Sequence, residues 1–321
     1  MPTIAPPAAS SADAHDALRR ARVYLARVAE PPATSLAAFV EVHGPIEAAA
    51  RVRAGDVPDA VREETGARRE QDLVDEDLAA AAQAGARLIL PEDQEWPGWR
   101  MLCLSAAATH GITWAAPPMA LWARGPAHLA GILDTAVTIA GSQTATSYGE
   151  HVAAEFGSGL AAAGTTVVAG TSYGIDGAAH RGALAADGTT LAILACGIDF
   201  TYPAGHRTLI DRIAAQGLVI SEYPPGTPPA RHRFIARRRL LAGLSDGTVL
   251  VEGTAQGQSR FTGLCAAALG RSSMAVPGPI TSRQSGGCHD LMRTGTAIPV
   301  TSVDDIHETI SSGHAGVRQR A

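Results

Sequence analysis

The densest run of chemistry-bearing residues is Arg231-His232-Arg233-Phe234-Ile235-Ala236-Arg237-Arg238-Arg239, five arginines and a histidine in nine positions. No carboxylate between Glu222 and Asp246 can neutralise it locally. Guanidinium groups fork onto phosphate oxygens, and an aromatic ring among them offers a base a stacking surface. The pattern suits a phosphate track, with Arg231, Arg233, Arg237 and Arg239 holding phosphates and Phe234 stacking a base. The same spacing also suits a solvated helix face with Phe234 turned into the core.

Two turns of small residues could serve the same anion: Gly141-Ser142-Gln143, and Gly170-Thr171-Ser172-Tyr173-Gly174. Thr135 to Ala140 is an apolar run of strand character ahead of the first turn, and Thr165 to Ala169 ahead of the second. A helix follows the first turn, with Ser147 and Glu150 as a capping box and Val152, Phe156 and Leu160 at helical spacing; another starts at Ile175. The two loops therefore lie at the carboxyl ends of strands and at helix amino termini. Backbone N–H groups and the helix dipole favour anions there. A G-x-G-x-x-A match at Gly157 to Ala162 falls inside a helix, so it is no dinucleotide fingerprint.

The segment EGTAQGQSRFT, residues 252–262, leaves another strand for a helix and adds Ser259 and Thr262 to the candidate binding residues. The turns at Pro277-Gly278-Pro279 and Ser285-Gly286-Gly287 follow the next strand. Gly170 to Gly174 also reads as G-x-S-x-G, the nucleophile elbow of a serine hydrolase. Ser172 would then need Asp199 and either His206 or His289, and no HGGG-type oxyanion loop precedes it. Cys288-His289 reads as structural, because residues adjacent in sequence rarely face each other.

Strands are predicted at 189–195, 218–220, 248–251 and 273–276, and helices at 206–216, 234–244, 259–270 and 302–310. This alternation predicts an α/β fold, a doubly wound and mostly parallel sheet that binds ligands outside the carboxyl ends of its strands. Short helices broken by Pro and Gly come first. The predicted organisation is a disordered start over 1–13, a small helical domain over 14–84, a connecting segment over 85–133, a Rossmann-like domain over 134–312 and a flexible end over 313–321.

A net charge of −5 excludes a protein that is basic throughout. The chain has no Lys and no Asn, so every fixed cation is an arginine. Four scattered cysteines with no CxxC pair suggest neither a disulfide framework nor a zinc site. No apolar run reaches membrane-spanning length and no leader pattern opens the chain, so a cytoplasmic protein without metal or cofactor is expected.

With these residues in view, the chain resembles the DNA-processing protein A family, DprA or Smf. The likeness rests on ordered segments: Ile139-Ala140-Gly141-Ser142 with Tyr148-Gly149, Gly174-Ile175-Asp176 with Ala178-Ala179-His180-Arg181-Gly182-Ala183-Leu184, Cys196-Gly197-Ile198-Asp199 with Tyr202-Pro203, and Ser221-Glu222-Tyr223-Pro224-Pro225-Gly226. Phe234, Arg237, Arg239, Ala242-Gly243-Leu244-Ser245, Val251-Glu252 and Val276-Pro277-Gly278 continue it. The resemblance implies an extended Rossmann-like domain that binds single-stranded DNA in a basic pocket, forms a homodimer, loads the RecA recombinase during natural transformation, and performs no chemical step. A nucleotide-sensing or nucleotide-processing protein is the alternative, and a serine hydrolase using Ser172 the second. Departures from the family pattern redistribute charge. Gln143 replaces an arginine, Ser172-Tyr173-Gly174 replaces Ala-Arg-Gly, Arg238 replaces an asparagine, and Gly257-Gln258-Ser259-Arg260 replaces Ser-Gly-Ser-Leu. The carboxyl-terminal winged helix of some members is expected to be missing.

Overall fold

The computed structural model describes residues 11–318. Helices α1 (Ser11–Val28), α2 (Thr34–His43), α3 (Pro45–Ala54), α4 (Asp59–Thr65) and α5 (Val74–Gln83) come first. Then follow β1 (Arg87–Ile89), α6 (Gly98–Thr109), β2 (Leu121–Arg124) and the single turn α7 (Leu129–Ile132). The alternating part runs β3 (Ala136–Ala140), α8 (Ser147–Ala162), β4 (Thr166–Ala169), α9 (Ile175–Ala185), β5 (Thr190–Ile193), α10 (Arg207–Gln216), β6 (Leu218–Ser221) and α11 (Arg231–Gly243). It closes with β7 (Gly247–Leu250), α12 (Arg260–Ala268), β8 (Ser272–Ala275), α13 (Gly286–Arg293), β9 (Ile298–Pro299) and α14 (Val303–Arg318). The expected disordered start falls on residues 1–10, outside the described residues, while 11–13 already belong to α1; likewise α14 runs to Arg318 and 319–321 lie outside.

The nine strands form one sheet in the order β1-β2-β6-β5-β4-β3-β7-β8-β9. Pairing is parallel from β6 to β9, and β1 and β2 add an antiparallel edge. The chain moves outward from β3 through β6, then returns to lay β7 against the other side of β3. That reversal opens a crevice between the β3 and β7 carboxyl ends, where an open parallel sheet takes its ligand.

Both sheet faces are covered, which is why its strands read as continuous apolar runs. Val137, Ile139, Val167, Val249 and Met274 pack with α8, α9 and α14 on one face. Leu191, Ile193, Leu218 and Ile220 pack with α6, α11 and α12 on the other. The amino-terminal helices do not form a core of their own. Tyr24, Leu25, Leu36 and Val52 join one buried cluster with Trp122, Val219 and the apolar face of α10. The connecting segment over 85–133, expected to pack on the core, supplies β1 and β2 to the sheet.

Helix α8 is capped by Thr146 rather than Ser147. Thr146 Oγ1 accepts from the Gly149 N–H at 3.2 Å and donates to Glu252 at 2.7 Å, so a tertiary contact selects the cap over its neighbour. Helices α8 and α9 approach closely because a methyl on Gly157 would collide with the Ala179 carbonyl and one on Gly182 with the Ala154 carbonyl.

Candidate nucleic-acid interface

The loops after β3, β4, β5 and β7, with one face of α11 and the first turn of α12, line a pocket of about 800 Å³ at the topological reversal. Gly141, Ser142, Gln143, Tyr173, Arg231, Phe234, Arg237, Ser259 and Thr262 line it, so most of the candidates from four separate segments meet in one place. Gly170 and Gly174 stand behind that lining and fix its shape. Gly174 has φ +68° and its Cα faces the Ser142 carbonyl so closely that no side chain fits. Ser142 also accepts the Ile175 N–H at 3.2 Å, which locks the two loops together.

Buried polar residues hold these loops from beneath. Glu252, 2 % exposed, accepts from the Thr146 N–H at 2.9 Å, while its carbonyl accepts the Ser142 N–H at 2.8 Å. His180 is wholly buried, with Nε2 2.8 Å from the Gly170 carbonyl and Nδ1 2.7 Å from the Thr190 hydroxyl. Burial lowers its pKa to about 4, so the ring is neutral. Nε2–H then donates to Gly170, and the single Thr190 hydroxyl proton lies within reach of both Nδ1 and the Val167 carbonyl, 2.9 Å away.

Several loop N–H groups expected to face an anion are therefore engaged within the protein. Ser142 donates to Glu252, and Ser172 donates to Asp176 Oδ2 at 3.1 Å. Among the described residues, the Gln143, Tyr173 and Gly174 N–H groups take no acceptor from the chain.

The arginine run divides by depth, because α11 begins at Arg231, three residues earlier than its periodicity suggests. Arg231, Phe234, Ile235 and Arg238 recur at helical spacing and share the pocket face. Arg239 lies outside the pocket lining, 1 % exposed, donating to Glu222 at 2.8 Å and to the Ala116 carbonyl at 2.7 Å. Arg233 donates to Glu30 at 2.7 Å and ties α11 to the end of α1. Burial pushes the Glu30 carboxyl up, but hydrogen bonds from Arg233 and Arg68 outweigh it and hold the group at about 2. Neither Arg233 nor Arg239 lines the pocket, so neither is placed to hold phosphate as expected: Glu30, on a remote element, and Glu222, in the loop before the helix, neutralise them. Arg237 forms the pocket floor, donating to the Ile193 carbonyl at 3.0 Å and lying 3.8 Å from Asp176.

Arg238 and Tyr202 were not among the expected ligands. Arg238 donates to Gln258 at 3.1 Å, and its guanidinium stands 5.6 Å from the Phe261 ring. The Tyr202 ring lies 5.6 Å from that of Phe234 and is 43 % exposed. Helical spacing along α11 marks Arg238; Tyr202 carries no periodic signal. Of the two arginines gained against the family pattern, Arg260 pairs with Asp290 at 2.6 Å while Arg238 faces the pocket.

The hydrolase constellation is not assembled. Asp199 accepts the Gly226 N–H at 2.9 Å, His206 Nδ1 lies against the Thr171 carbonyl and His289 against Gly278. Burial pushes the Cys288 thiol up to about 12, which leaves no thiolate near neutral pH. Among the described residues no group of His, Cys, Asp and Glu could hold a metal, and no helix is long and apolar enough to cross a membrane.

Residues 87–311 match the profile of the family described as DNA recombination-mediator protein A. A Mycobacterium tuberculosis protein named as the DNA processing protein DprA is 48 % identical over 301 residues, 94 % of this chain and 77 % of that protein. The DNA processing protein DprA of Bacillus subtilis is 30 % identical over 73 % of this chain and 74 % of its own length. Among solved structures, DprA from Streptococcus pneumoniae superposes with a TM-score of 0.72 at 26 % identity, covering 91 % of this chain and 97 % of that one. A Helicobacter pylori DNA processing protein A, solved for its single-stranded DNA binding mode, gives 0.55 at 27 % identity over 61 % of this chain and 88 % of its own.

Proposed function

The chain belongs to the DNA recombination-mediator protein A family, and on that premise we propose that it binds single-stranded DNA in the pocket at the sheet reversal. One observation carries the reading: two cations without a carboxylate partner, Arg231 and Arg238, flank the half-buried ring of Phe234 on one helix face. Most arginines of the described residues are neutralised in ion pairs; among those that line the pocket, Arg231 and Arg238 are the charge left for a polyanion. Phosphates sit on Arg231 and Arg238, a base stacks on Phe234 beside Tyr202, and the Gln143, Tyr173 and Gly174 N–H groups face the backbone.

Work of this kind needs no chemical step. Loading of the RecA recombinase and action as a homodimer are the finer parts of the proposal, and both rest on family membership. The deciding measurement is binding of a labelled oligonucleotide, single-stranded against duplex, across a salt series. Preference for the single strand, with log affinity falling about 0.7 per phosphate contact per decade of salt, supports the reading. A mononucleotide that binds as tightly as the oligonucleotide would transfer the pocket to nucleotide sensing, and labelling of Ser172 by a fluorophosphonate would reopen the hydrolase. RecA loading is tested separately, by filament assembly on strands already coated with the protein.

A further inference from the structure

Beyond the pocket the charge continues along the carboxyl edge of the sheet. Arg181 on α9 and Arg207 at the start of α10 are exposed and, like Arg231 and Arg238, have no carboxylate within salt-bridge reach. His206 immediately precedes Arg207. A Cβ built on Gly177 would lie 2.6 Å from His206 Cε1 and 3.1 Å from Arg181 Nη1, which puts the Arg181 guanidinium beside the ring.

The same ring supports an aromatic platform. Tyr173 packs edge-on against His206 with centroids 4.7 Å apart, yet 49 % of its surface stays exposed. Tyr202 stands on the next loop, also half-exposed, with its ring against Phe234. Both tyrosines line the pocket, whereas Arg181 and Arg207 lie outside it. Two exposed aromatics thus lead from the pocket wall to a pair of unpaired cations. Carboxylates on the neighbouring elements are occupied elsewhere: Asp211 pairs with Arg124, and Asp199 accepts the Gly226 N–H. Buried Asp176 lies beneath the loop, held by the Ser172 N–H.

We infer that a single strand filling the pocket continues over Tyr202 and Tyr173 and places its next phosphates on Arg181 and Arg207. This second subsite rests on the reading of the pocket as a single-stranded DNA site. Aromatic faces accept bases without regard to sequence, and guanidinium groups take the phosphates between them. The subsite therefore lengthens the footprint without adding sequence preference.

The test compares wild type, an Arg181→Ala/Arg207→Ala double variant and Arg231→Ala, using oligothymidylates of about four and about sixteen nucleotides, lengths that bracket common single-strand sites. Both variants alter exposed side chains only, and melting temperatures equal to that of wild type confirm that they fold. The double variant is expected to bind the short strand as wild type does. On the long strand its salt slope should fall by about 1.4, two contacts at about 0.7 each. An unchanged long-strand slope overturns the subsite, and an equal loss on both lengths overturns it too, because the arginines would then belong to the pocket. If Arg231→Ala weakens binding while the double variant does not, the pocket reading stands without the extension. Wild type binding neither strand overturns both.

Discussion

Arg239 and Glu222 form a buried ion pair, each side chain 1 % exposed, outside the lining of the pocket. One helix thus carries cations of two kinds: those sealed against carboxylates in the protein, and those left open at the rim. Removing one member of such a buried pair strands a charge in a low-dielectric interior, at a cost of about 3 to 5 kcal/mol. Arg239→Ala should lower the stability of the whole fold by that order in denaturant titrations. Arg231→Ala should leave the denaturation midpoint unchanged and reduce the salt slope of DNA binding by about 0.7. If both variants lost affinity at intact stability, the division of the helix into structural and binding arginines would be wrong.

Phe234 is half-buried, faces the pocket and lies near both the Tyr202 ring and the Arg237 guanidinium, 5.2 Å from its centroid. Phe234→Leu keeps an apolar side chain against these neighbours and removes the flat face. Loss of base stacking should weaken oligonucleotide binding by about 1 to 3 kcal/mol while an abasic strand loses little. Equal losses on both strands would mean the ring acts by packing alone.

How much of this was open to a reader of the sequence depends on the range of the interactions that decide it. Strands β3 to β8 and most of their helices announce themselves through apolar runs and caps, because burial between two helix layers is written locally. Helix α6 follows Trp96-Pro97-Gly98-Trp99 and α13 opens on two glycines, so punctuation that signals a turn hid both. The pocket loops were legible as small-residue turns at strand ends. Which arginines face solvent was not, since the partners that remove Arg233 and Arg239 are Glu30, about two hundred residues away in sequence, and Glu222, in the loop before the helix. The spacing of 231, 234, 235 and 238 did hold the answer once the helix start was moved to Arg231.

His180 fixes the loop that carries Tyr173, and its depressed pKa makes stability depend on acid. The folded protein holds the ring neutral to about pH 4, whereas the unfolded chain protonates near the ordinary value of 6.5. Its contribution is thus fully present above pH 6.5 and is lost as pH falls from 6.5 towards 4, by roughly 3 kcal/mol at the limit. Chemical denaturation at a series of pH values should show this decline in wild type and a shallower one in His180→Gln. Identical pH profiles would assign the acid sensitivity to other groups.

The contact between α8 and α9 admits a further test. A Cβ at position 182 would meet the backbone carbonyl of Ala154, and backbone cannot rotate aside as a side chain can. Gly182→Ala must push the helices apart despite its better helix propensity, and overpacking of this kind typically costs about 1 to 3 kcal/mol. Gly164→Ala, at a positive-φ turn with open space around it, serves as comparison: any loss there reflects backbone strain without displacement of α8. A stabilised Gly182→Ala would show that the helices can separate freely.

Gln143 lines the pocket from the β3 loop and is exposed, while Arg238 lines it from α11. The rim therefore carries its free charge on α11 and a neutral amide on the β3 loop. A strand threading between them meets cations on one wall only, so Gln143→Arg adds a phosphate contact where the loop already leaves the Gln143 N–H open. The variant should bind single strands more tightly at low salt, with a slope steeper by about 0.7, and the advantage should shrink as salt rises. Arg238→Ala in the Gln143→Arg background should restore a slope near that of wild type, because one cation has replaced another on the same strand. If Gln143→Arg leaves affinity and slope unchanged at full stability, the strand does not run along the β3 loop, and the path must be redrawn towards α12 past Ser259 and Thr262.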